Sequence, residues 1–181
     1  MKKLVITLLL CVAALPSVFG QKTETAKTPS LVFSGETYYL AYSVQGDGMW
    51  LNEYLKPGDT LEKWTDMLAL RDYGQSELTP KQAAASVARN LAATNPQARY
   101  AIIENEKTGE VIIDFFTWAG STMEFNVFKF SKVNGVLKSY QFAHREYDDM
   151  EKMKAFLSDK QSWVNKMASA AIPKTQKVIK K

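Results

Sequence analysis

The chain has 181 residues, 23 basic against 19 acidic side chains, one histidine and one cysteine. A single histidine excludes metal sites built on two imidazoles and removes most acid–base dyads. A single cysteine, Cys11, excludes any disulfide within the chain, and its place in an N-terminal apolar run removes it from the mature protein along with that run.

That run opens the chain as "MKKLVITLLLCVAALPSVFGQ", with Lys2 and Lys3 ahead of Leu4 to Leu15, then Pro16, Ser17 and Gly20. A charged start, a short apolar core and small residues predict a secretory signal peptide over residues 1–20, cleaved before Gln21. The run falls short of the about 20 apolar residues a spanning helix needs, and the alternative to cleavage is retention of residues 1–20 as an N-terminal anchor. Leu10 in front of Cys11 lacks the small side chain a lipidation site requires. Cleavage leaves 161 residues, enough for one domain with its own core. Without Lys2 and Lys3 the balance is 21 basic to 19 acidic, a net +2 that offers little to a nucleic acid. The expected location is periplasmic or secreted, with no stable membrane insertion after cleavage.

Residues 21–35, beginning "QKTETAKTPS", read as a flexible leader, polar and without periodicity. Residues 36–173 read as a single domain and 174–181 as a solvated basic tail. Within the domain, "ETYYLAYSVQ" and "MWLNEYL" flank the turn residues Gly46-Asp47-Gly48 and predict a hairpin. Lys56-Pro57-Gly58-Asp59 is a turn, and Leu61, Trp64, Met67 and Leu68 recur at helical spacing after an Asp59 cap with Glu62 three residues on, which predicts an amphipathic helix. The carboxylates Glu53, Asp59, Glu62 and Asp66 lack the spacing of a calcium loop.

Thr79-Pro80 with Gln82 predicts the start of a second helix, its inner face Ala84, Val87, Leu91 and Ala92, ended by Asn95-Pro96. Four strands follow at Tyr100–Glu104, Glu110–Trp118, Met123–Ser131 and Val136–Tyr147, the last two joined by Asn134-Gly135, the strongest hairpin signal in the chain. A two-residue turn there puts Phe125 opposite His144 and Glu124 opposite Arg145. A four-residue loop at 119–122 puts Trp118 opposite Met123. One face then carries Ile112, Asp114, Phe116, Trp118, Met123, Phe125, Val127, Tyr140, Phe142 and His144, the other Val111, Ile113, Phe115, Phe128, Phe130, Gln141 and Arg145. Two largely apolar faces call for helices on each side. A final helix, capped by Asp148 with Glu151 three residues on, carries the stripe Met150, Met153, Leu157, Val164, Met167 and Ala171 until Pro173, with Ser158-Asp159 a point where it can divide. The expected fold is α+β, an antiparallel sheet of about six strands with helices on its faces, an α/β/α sandwich.

The stretch "EYLKPGDTLEKWTDM" after the first hairpin, the segment Thr79 to Asn95 and the hairpins ending at Tyr147 together resemble the PsbP/Mog-like α/β/α sandwich family, over about Glu36 to Ala171. The resemblance implies a non-enzymatic binding or accessory protein, exported in some members, and assigns no ligand and no residue role.

One constellation carries chemistry. His144 shares its expected face with Asp114, and Glu146 lies two residues along the same strand, so a carboxylate can orient the ring and another share its proton. No nucleophile accompanies them, because Ser121 in "AGSTM" lacks the Gly-x-Ser-x-Gly elbow. The alternative role for His144 is that of a packed sheet residue against Phe125. "GDG" lacks a phosphate-binding pattern, and the aromatic run from Asp114 to Phe125 lacks interleaved cations for RNA. No cofactor motif is present. The expected function is an exported, non-enzymatic module that binds a protein or a cell-envelope component. The second reading is a small hydrolase or lipid-binding protein with a pocket near His144, lined by Phe125, Phe142 and Trp118.

Overall fold

The computed structural model describes residues 28–181. The expected signal peptide, its cleavage site and leader residues 21–27 lie outside the described residues.

Asn134 and Gly135 take φ values of 52° and 78°, the left-handed pair that lets two strands with a right-handed twist meet in a tight turn. They join β7 (Thr122–Val133) to β8 (Val136–Tyr147). The register is the expected one, with Val133 opposite Val136, Phe125 opposite His144 and Glu124 opposite Arg145. The last pair is an ion pair at 2.5 Å. β6 (Glu110–Ala119) runs along β7 with Trp118 opposite Met123, and β5 (Arg99–Asn105) forms the open edge beyond it. The first half of the domain supplies β1 (Ser30–Phe33), β2 (Glu36–Gly46), β3 (Met49–Leu55) and β4 (Asp66–Asp72).

The eight strands among the described residues form one antiparallel sheet in the order β1-β2-β3-β4-β8-β7-β6-β5. Each half is a meander in chain order, and the halves join where β4 pairs with β8. The chain is therefore an α+β protein, with two more strands than the six expected. β1 falls inside the stretch read as leader, because four residues of edge strand leave too short a pattern to distinguish from a coil. β4 takes the end of the expected first helix, at Met67 and Leu68, and residues 60–65 before it form a turn region instead. Its run from Met67 to Leu70 is buried at every position between β3 and β8, so it neither alternates nor leaves a polar stripe. Leu61 is exposed in the turn before it, and Asp59 accepts from the Thr65 amide instead of capping a helix.

α1 (Pro80–Thr94) has the expected capping box between Thr79 and Gln82 and ends at Asn95. Its buried side chains are Ala83, Ala84, Val87, Ala88 and Leu91, whereas Ala92 is exposed. The final helix divides into α2 (Met150–Ser158) and α3 (Lys160–Ser169). Asp149, not Asp148, caps α2 by accepting from the Lys152 amide at 2.9 Å, since Asp148 itself turns the chain with a φ of 57°.

Neighbouring residues of a strand point to opposite faces, and the core divides accordingly. Ile112, Phe125, Val127, Tyr140 and Phe142 pack with Val164 and Met167 of α3. Val111, Ile113, Phe115, Phe128 and Phe130 pack with the buried side of α1. Each such side chain contributes roughly 1.5–3 kcal/mol through burial. Beyond α1 the second face carries a small apolar cluster of Leu55, Trp64, Met67 and Ala143 and, among it, a polar chain. Arg71 donates to Gln141, Gln141 to Asn126 and Asn126 to Glu124, each at 2.7 Å, and Arg145 lies 4.0 Å over the Trp64 ring. The chain of bonds satisfies the buried amides of Gln141 and Asn126.

The C-terminal segment is not the solvated tail expected. Residues 175–180 lie against β2 and β3, with Thr175 buried and Lys180 bridged to Ser43. Backbone and side-chain hydrogen bonds hold it, so no apolar pattern announced the contact.

Candidate functional site

His144 is placed by β8 with its ring on the α3 face, and the residue directly across on β4 is Asp66. Nδ1 stands 2.7 Å from Asp66 Oδ1, and Asp66 Oδ2 receives Lys56 Nζ at 2.6 Å. Burial tends to raise the Asp66 pKa, but the hydrogen bonds from His144 and Lys56 outweigh it and hold the carboxyl below its ordinary value. Phe156 of α2 covers the imidazole, ring on ring at 3.7 Å and 5°. The stack continues through Trp163, which lies 4.5 Å from Phe142 at 8°. Glu146 Oε1 comes within 3.3 Å of Nε2 without forming a directed hydrogen bond. The histidine is thus buried, paired and roofed.

Asp114 does not join it. On β6, Asp114 stands opposite Val127 and through it Phe142, one rung removed from Phe116, Phe125 and His144. It is buried and pairs with Lys160 Nζ at the start of α3.

That ion pair lies in the wall of a different feature, an open groove of about 610 Å³ between the β5–β6 edge and the junction of α2 with α3. Trp118, Phe116, Phe125 and Leu157 form its apolar side, with the Phe116 and Trp118 rings 5.6 Å apart. Trp118 keeps 40 % of its surface exposed, and Asn95 ties its carbonyl to the end of α1. Arg99, across the rung from Phe116, borders the groove and belongs to no ion pair among the described residues.

The six expected site residues therefore separate. Trp118, Phe125 and Asp114 line the groove, whereas His144, Glu146 and Phe142 belong to the packed stack beside it. Sequence reasoning missed Asp66, because β4 was read as helix, and Phe156, because its contact crosses from α2. It also missed Arg99 and Lys160, although the Arg99–Phe116 rung follows once the turn at residues 106–109, between β5 and β6, is given its register. Among the described residues no group of three or more His, Cys, Asp or Glu is placed to hold a metal ion. No described helix is long and apolar enough to cross a membrane.

A protein-family model matches residues 26–172 of the chain. No curated protein matches the sequence.

Proposed function

The chain belongs to the protein family whose model matches residues 26–172, and we propose that it is an exported, non-enzymatic binding protein whose groove takes a small amphipathic anion. One observation carries the reading. An exposed aromatic, Trp118, and a cation in no ion pair among the described residues, Arg99, border one groove of about 610 Å³, a volume in the range of small-molecule sites. The apolar body of the ligand rests on Trp118 and Phe116, and its carboxylate or phosphate meets Arg99, where a guanidinium supplies paired donors. Lys160 is already committed to Asp114 and sets the polar rim.

The same geometry argues against hydrolysis at His144. Its Nδ1 is engaged by Asp66, its face is covered by Phe156 and the residue is 7 % exposed. A general base must reach the proton it removes. The lipid-binding half of the second reading survives in altered form, at Trp118 instead of at the histidine. The layering, with α1 on one face and α2 with α3 on the other, supports reading the fold as an α/β/α sandwich of the PsbP/Mog-like kind. That resemblance favours a binding role in the periplasm or outside the cell. The intact mass of the secreted form tests export, with Gln21 expected as the first residue.

Titration with dodecanoate, followed by tryptophan fluorescence, tests the groove. Saturable quenching is expected in the native chain and its loss in Arg99→Glu. Trp118→Phe should remove the signal while calorimetry still detects binding. Unchanged dodecanoate affinity in Arg99→Glu would sink the assignment.

A further inference from the structure

The other end of the α3 face holds a second built site. Ser43 on β2 and Asn52 on β3 sit opposite each other, both fully buried and polar, and Asn52 Nδ2 donates to Ser43 Oγ at 2.8 Å. Asn52 Nδ2 also reaches the Leu51 carbonyl at 3.1 Å, and the other hydrogen bonds of both side chains go to one extended segment. The Asn52 side chain treats Gln176 as a neighbouring strand would, accepting from its N–H at 2.6 Å and donating to its carbonyl at 3.0 Å. Ser43 exchanges both backbone hydrogen bonds with Lys180, at 2.7 and 2.8 Å, and its hydroxyl donates to the Val178 carbonyl. These contacts close the β2 edge where β1 stops, since β1 pairs only as far as Ser30 opposite Tyr39.

The segment is held by its backbone. Val178 and Ile179, its two aliphatic side chains, are 48 % and 59 % exposed and contribute little burial. Side-chain recognition is confined to its two ends, where Thr175 is buried and Lys180 Nζ donates to the Leu40 carbonyl. An occupant attached through main-chain groups, with its apolar side chains facing out, is one that another extended peptide can replace by the same strand-addition chemistry.

We infer that Ser43 and Asn52 form a binding site for an extended peptide, and that residues 175–180 are its resident, displaceable occupant. The external ligand has the chemistry of the resident, an extended segment with a threonine-sized residue followed five positions later by a lysine. This site is distinct from the groove at Trp118 and does not depend on the function proposed for it. Because the tail is tethered, it competes at an effective concentration on the order of mM, and only a peptide at comparable concentration, or a released tail, opens the site.

The test uses the full chain and a synthetic peptide of residues 174–181, KTQKVIKK. Gln176→Pro with Lys180→Pro removes the two N–H groups that bond Asn52 and Ser43, and leaves the site intact. The peptide is expected to bind this variant at least tenfold more tightly than the native chain, and adding Asn52→Leu should abolish that binding. Equal affinities, or no binding to a proline variant whose amide spectrum otherwise matches the native one, would overturn the inference. Should the proline variant fail to fold, the native chain decides. Several mM unlabelled peptide should move the labelled amides of 176–180 to free-chain shifts while Ser43 keeps its bonded shift. Tail amides that stay put under that excess would equally overturn it.

Discussion

His144 Nδ1 and Asp66 Oδ1 stand 2.7 Å apart across the junction where the two four-stranded meanders meet. The pair links β8 to β4, with Lys56 on its carboxylate side and Phe156 over its ring. It fastens the only rung set through which one half of the sheet, among the described residues, hydrogen-bonds to the other. A titratable contact at that seam makes stability depend on pH.

Asp66 has a folded pKa below its ordinary value, so it binds its proton less readily folded than unfolded. Its contribution is complete above the unfolded value of about 3.9 and is lost as pH falls through the lower folded value. Asp66→Asn should therefore be less stable than the native chain near neutrality, by about 2 kcal/mol for a buried charged partner removed, and the gap should narrow as pH falls through the lowered folded value. Urea midpoints of both proteins across that range check it. A gap that does not change with pH would show that the pair carries no charge-linked stability.

Two glycines with positive φ should respond unequally to alanine. Gly135 at 78° has nothing within 4 Å of a Cβ, so Gly135→Ala should cost only the left-handed penalty of about 1–2 kcal/mol. At Gly74, with φ of 57°, a Cβ would meet the Gly48 carbonyl oxygen at 2.4 Å. Gly74→Ala must also displace the β2–β3 turn and should be the more destabilising. Thermal melts of the two variants decide the order, and Gly135→Ala as the worse would reverse the argument. At the neighbouring position Asn134→Asp should be tolerated, because aspartate accepts the left-handed region.

What was legible in the sequence follows from how local each signal is. Asn134-Gly135 specifies a turn by itself, and a period of two then carries the register to His144 and to Trp118 with no further information. The split of the core between two faces came from the same count. Asp66 to Asp72 was opaque because a strand buried on both faces has no alternation, and Leu61, Trp64, Met67 and Leu68 imitate a helical stripe. That one misreading hid the partner of His144 and left Asp114 as the nearest carboxylate. The docked tail was opaque for another reason. Asn52 and Ser43 bind backbone, and the two side chains that are recognised, Thr175 and Lys180, are too few and too far apart to stand out in the sequence.

The helix start at Asp149 is a further test of local geometry. Asp149 accepts from the Lys152 amide and is held below the ordinary carboxylate range chiefly by that backbone bond. Asp149→Ala should lower stability, because the Lys152 amide loses its capping acceptor. Asp148→Gly should be neutral or slightly stabilising, since glycine meets a φ of 57° without steric cost. Chemical denaturation that ranks Asp148→Gly as the more damaging would return the cap to Asp148.

His144 itself separates packing from chemistry. Gln at this position keeps an amide able to donate to Asp66 but loses the ring stacked on Phe156 at 3.7 Å. His144→Gln should thus cost on the order of 1 kcal/mol, the scale of an aromatic pair beyond its buried area. His144→Leu loses both ring and donor, leaves the Asp66 carboxylate with Lys56 alone, and should cost more, by about a further 1–3 kcal/mol for the orphaned acceptor. Because His144 does not line the groove at Trp118, dodecanoate affinity should be the same in the native chain and in His144→Gln. Denaturant midpoints read the first two effects and fluorescence titration the third. A His144→Gln protein of native stability that no longer binds the probe would move the site from Trp118 to the histidine and reopen the catalytic reading of His144 with Glu146.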